Sequence, residues 1–161
     1  MSISSHEEYL ANEKSFQLLD LVYERLQNES MKVELLDRII HFVGKSYYAA
    51  DFFLSKLQDY TALANAKERA FEKGWVDIFL LMFASSNSYE MAKKTSAILV
   101  NFNGQFTAMQ IENIISAALS NDQITNSWGA QENLEKILIL YRSQISSEEK
   151  EDIKKALRIV L

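Results

Sequence analysis

Gly74-Trp75-Val76-Asp77-Ile78-Phe79-Leu80-Leu81-Met82-Phe83-Ala84 carries one charge, Asp77. A helix that is apolar on nearly every side must be covered on most of them, so this stretch is expected at the centre of an all-helical fold. The sequence on either side supports that class. Before it, Leu36, Ile39, Ile40 and Val43 recur at i, i+3, i+4, i+7, which predicts a helix over 31–43 stopped by Gly44. A helix over 46–57 turns Phe53 and Leu57 inward, and another over 62–73 ends at Gly74. At the chain start, Ser5-His-Glu-Glu8 has the spacing of a capping box and opens a helix with the stripe Leu19, Val22, Tyr23 and Leu26. Residues 28–30 read as a turn.

On the C-terminal side, Asn87-Ser-Tyr-Glu90 caps a helix that runs to about residue 102 and stops at Gly104. Thr107-Ala-Met-Gln110 caps the next, with Phe106 and Ile111 as a hydrophobic staple and Ile111, Ile114, Ile115 and Ala118 as its stripe. Residues 120–129, Ser-Asn-Asp-Gln-Ile-Thr-Asn-Ser-Trp-Gly, read as the one long loop. Beyond it Leu134, Ile137, Leu138 and Tyr141 share a helix face. Ser146-Ser-Glu-Glu149 caps a last helix with Ile153, Ala156, Leu157 and Val160 inward.

The pattern amounts to about nine short antiparallel helices joined by short turns, in a single domain over 1–161. Gly44, Gly74 and Gly104 stand thirty residues apart, as stacked helical hairpins would place them, which points to an irregular HEAT- or armadillo-like stack. A globular helical bundle is the alternative. Composition agrees with an all-α chain: 161 residues contain no proline and four glycines, too few turn residues for a β-sandwich or barrel.

With no cysteine, disulfides, thiolate catalysis and iron–sulfur clusters are excluded. The N-terminus lacks a basic region followed by an apolar core, and no run reaches the roughly 20 apolar residues of a membrane span, so a cytoplasmic, soluble protein is expected. Net charge is −5. Residues 1–30 hold two positive and six negative charges, 31–74 seven and six, 75–129 two and four, and 130–161 six of each. With no strongly basic segment, direct nucleic-acid binding is disfavoured, and an acidic surface suits a basic protein partner.

Motifs for chemistry are sparse. Asp37 and His41, at i, i+4, could form a carboxylate-oriented imidazole; a surface pair is the plainer reading. His6 reads as a solvated residue near a helix start. No metal-ligand spacing and no glycine-rich phosphate loop occur, so no metal and no cofactor is expected. The charge run Glu148-Glu-Lys-Glu-Asp152 opens a helix, where it offsets the dipole. Tyr47-Tyr48 and Phe52-Phe53 are adjacent pairs about 100° apart on a helix, so one of each should lie at an edge or interface. Trp128, in a polar setting, has the profile of a binding anchor or else plugs the gap between helices. The segment 75–129 is rich in Asn, Ser, Thr and Gln, which suits a face that hydrogen-bonds a partner, or reflects compositional drift.

In size, acidity and helical content the chain resembles the small immunity proteins of bacterial contact-dependent inhibition and polymorphic toxin systems. That resemblance implies a non-enzymatic inhibitor that occludes the active site of a basic toxin, such as a nuclease, its carboxylates standing in for phosphates. A helical-repeat scaffold or adaptor, and an enzyme with a helical active site, are the competing functions. The candidate partner contacts are Trp128, Asp122, Glu112, Glu90 and Asp77, taken from the half of the chain that carries the fewest charges.

Overall fold

A computed structural model describes the backbone of residues 5–43, 46–59 and 74–161, and side chains within 13–43, 46–56 and 74–161. The expected helix over 62–73, the stop at Gly44 and the side chains of His6 and Leu57 lie outside the described residues. All regular structure among the described residues is helical: α1 (Ser5–Arg25), α2 (Glu29–Ile39) running into a 3₁₀ turn (Ile40–Phe42), α3 (Tyr47–Asp59), α4 (Trp75–Ala84), α5 (Tyr89–Val100), α6 (Ala108–Ser120), α7 (Asp122–Thr125), α8 (Trp128–Leu138) followed by a 3₁₀ stretch (Ile139–Gln144), and α9 (Ser147–Leu157).

Local capping sets most of these starts. Thr107 and Gln110 form a reciprocal box on α6, and Ser146 and Glu149 do the same on α9. Asn28 accepts the Ser30 N–H, so α2 begins at Glu29, inside the stretch expected to be a turn. The cap of α5 is Ser88, accepting from Met91 N–H, one residue later than the Asn87 expected from spacing. The expected long loop at 120–129 is largely helical. Asn121 caps the single turn α7 and Ser127 caps α8, because Asn and Ser serve helix starts as well as loops.

Two rows of helices follow from the contacts. One runs α1, α3, α5, α8, and the other runs from the 3₁₀ turn at Ile40–Phe42 through α4 and α6 to α9, with α4 also against α5. A continuous hydrophobic cluster extends from Tyr23 to Ile159. In α4, Trp75, Val76, Phe79, Leu80 and Phe83 are buried, as expected, but Asp77, Leu81 and Ala84 face solvent. The helix enclosed on most sides is instead α5, packed by α3, α4, α7 and α8.

Three packing expectations are corrected. Phe52 and Phe53 are both buried, because α3 lies between two neighbours: Phe52 meets Phe16 and Tyr23 of α1, while Phe53 meets Trp75 and Phe79 of α4 edge-on. Tyr47 does lie at an edge. On α1, Val22 turns to solvent while its neighbour Tyr23 is buried, since α3 covers only one side of that helix. Val160 is 70 % exposed and Ile159 3 % exposed. The helix ends at Leu157 and Arg158 adopts a left-handed conformation (φ 59°), which breaks the helical phase and turns Ile159 into the core.

Candidate partner-binding site

Much of the uncharged polar chemistry of 75–129 serves the fold. Thr95 and Ser96 are buried on α5 and bond back to the Met91 and Lys93 carbonyls. Asn121 Nδ2 donates to the carbonyls of Ala84 and Ser86, and Asn103 Nδ2 to that of Lys136. Ser127 is buried; its hydroxyl donates to the Tyr89 carbonyl and accepts the Ala130 N–H. The Ser127 hydroxyl therefore ties the start of α8 to the start of α5, while the two amides join other parts of the fold.

The five candidate residues are all exposed, and Asp77, Glu112 and Trp128 border three different recesses. Asp77, on the open side of α4, accepts from Gln110 Nε2 at 3.2 Å. It borders a groove of 510 Å³ between α4 and α6, with Leu81, Asn113, Ser116 and Ser120 along its walls. Glu112 borders a small recess of 50 Å³ between α6 and the segment 144–149. Glu90 and Asp122 stand in the first turns of α5 and α7, where a carboxylate offsets the positive end of the helix dipole. Trp128 is the first residue of α8 and is 81 % exposed. It does not plug an interhelical gap.

Trp128 lines a cleft of 220 Å³ between the outer face of α8 and the chain after α9. Gln131, Glu132 and Glu135 continue the α8 side, and Leu157, Arg158 and Ile159 form the other. Glu132 and Glu135 are both exposed and make no ion pair among the described residues. Sequence reasoning passes over both, because their segment is charge-balanced as a whole. A signal exists all the same: residues 128, 132 and 135 are spaced i, i+4, i+7, so an aromatic and two carboxylates share one helix face. Gly129 lets the start of α8 sit under Lys93 of α5; a Cβ built there would lie 2.7 Å from the Lys93 side chain.

Two lysines with raised pKa serve as ties between helices. Lys56 of α3 is buried, which lowers its pKa, but hydrogen bonds and Coulombic attraction from Asp20 and Glu24 of α1 more than offset that. Lys94 of α5 is pulled down by burial and raised further by Asp51 of α3, 2.6 Å away, with Tyr47 contributing. Asp37 accepts the indole N–H of the buried Trp75, which gives it a part in holding α2 to α4, while His41 is exposed. Among the described residues no group of three or more His, Cys, Asp or Glu could hold a metal ion, and no helix is long and apolar enough to cross a membrane. No protein-family model, curated protein or solved structure matches the chain.

Proposed function

We propose that the chain is a non-enzymatic protein-binding module for a basic partner, in its most concrete form an immunity- or antitoxin-type inhibitor that covers the active site of a toxin nuclease. The observation that carries this reading is the solvent-facing Trp128 on the same face of α8 as Glu132 and Glu135, two carboxylates without an ion pair among the described residues. An exposed tryptophan flanked by charge is the composition of an interface anchor, since it gains contact area at small entropic cost once a partner covers it. Net acidity of −5 gives long-range attraction for a basic protein.

A helical-repeat scaffold or adaptor is the second reading. It draws on the order of the helices in two rows, in which each element meets the next in its own row, as stacked hairpins do. The two readings differ in what binding does. The test is to recover the protein that co-purifies with the chain at a one-to-one ratio and to assay its cleavage of nucleic acid with and without one equivalent of the chain. Suppression of cleavage supports the inhibitor. A stoichiometric partner whose activity is untouched leaves the adaptor, and turnover of a small molecule by the purified chain rejects both.

A further inference from the structure

We infer that the cleft between α8 and the residues after α9 receives an arginine side chain of the partner. The inference rests on the binding-module reading and specifies the contact. A receptor for guanidinium needs a flat aromatic surface, carboxylates beyond it, and an apolar wall for the methylene stem. Trp128, which lines the cleft and is 81 % exposed, supplies the aromatic surface. Glu132 and Glu135 lie about 6 and 10 Å further along the same helix, at 1.5 Å per residue. Leu157 and Ile159, both buried among the core residues, close the opposite side. The lining holds two carboxylates and one cation, Arg158, so its balance favours a cationic occupant. Arginine fits better than lysine because its planar group stacks on indole and pairs with carboxylate in a fork.

Arg158 gives the proposal a second handle. It stands in the left-handed region at φ 59°, where glycine is at ease and other residues are strained. Arg158→Gly removes the like charge from the cleft and relieves the backbone together.

The probe is a tetra-arginine amide, titrated into the full chain while the two indole N–H signals are followed by NMR. The Trp128 signal is expected to move and saturate, while that of Trp75, bonded to Asp37 in the core, stays in place. Tetra-lysine should bind several-fold more weakly. The Glu132→Gln/Glu135→Gln variant should lose at least ten-fold in affinity, and Arg158→Gly should gain two- to five-fold with no fall in melting temperature. Glu151→Gln/Asp152→Gln, on another acidic face, should bind as the parent does. A static Trp128 signal, or equal losses in both carboxylate pairs, overturns the cleft. So does a protein partner that binds Trp128→Ala as tightly as the parent, which leaves the module reading standing. A saturating Trp128 response in a chain that retains no protein partner keeps the cleft and rejects the module.

Discussion

Lys56 is 4 % exposed, with its ammonium between Asp20 and Glu24 and above the rings of Tyr23 and Phe52, at 4.9 and 5.5 Å from their centroids. Its pKa is raised on folding, so its contribution to stability is complete below the unfolded value of roughly 10.4 and is lost as pH climbs through the folded value. Lys56→Ala should cost about 2 kcal/mol at pH 7.5, less than a fully buried pair would, because both carboxylates stay more than half exposed and water takes them back. Lys56→Met keeps the stem in place and should stay within about 1 kcal/mol of the parent. The melting-temperature gap between parent and Lys56→Met should hold steady from pH 7 to 9 and shift against the parent above roughly pH 10.5. A gap that stays unchanged above roughly pH 10.5 by calorimetry would refute the assignment. Single residues are unevenly legible in the sequence. Lys56 follows Phe52 and Phe53 at helical spacing, so its inward position can be read, but its partners lie more than thirty residues upstream on another helix. Val160 fits the apolar periodicity yet faces solvent, because Arg158 turns left-handed, which no apolar spacing announces.

At the scale of elements, local chemistry is the most legible part. The boxes Thr107–Gln110 and Ser146–Glu149 need only residues three apart, and both form as spaced. The stretch 120–129 defeats the same reasoning, because Asn121 and Ser127 each open a helix with a side chain that would equally suit a loop. Ser127 does more than cap α8, since its hydroxyl also donates to the Tyr89 carbonyl at 3.0 Å and so joins the starts of α5 and α8. Ser146 caps α9 at the surface and bonds only within its own turn. Ser127→Ala should therefore cost about 2 kcal/mol, one part cap and one part buried hydrogen bond, against about 1 kcal/mol for Ser146→Ala. Urea unfolding of the two variants side by side measures the difference; equal costs would mean that the link to Tyr89 adds nothing.

Across the whole molecule, the helical class is legible and the row order is not, since periodicity shows which face a helix buries and not which neighbour covers it. Gly74 and Gly104 both adopt positive φ, at 71° and 90°, ahead of α4 and α6, and these two helices touch. The candidate carboxylates stand on four different helices, α4 to α7, and charge reversals can separate steering from contact. Asp122→Lys with Glu112→Lys, and Glu132→Lys with Glu135→Lys, each add two charges per site, so each pair takes the net charge from −5 to −1. Both pairs should slow association with the basic partner several-fold at low salt, and both should converge on the parent near 0.5 M salt, where the Debye length falls to about 4 Å. Only the second pair touches the Trp128 cleft, so only it should speed dissociation, by about ten-fold or more, at every salt concentration. Surface plasmon resonance with the recovered partner separates the two rates. A faster off-rate for Asp122→Lys/Glu112→Lys with none for the α8 pair would move the contact face away from α8, toward the starts of α6 and α7.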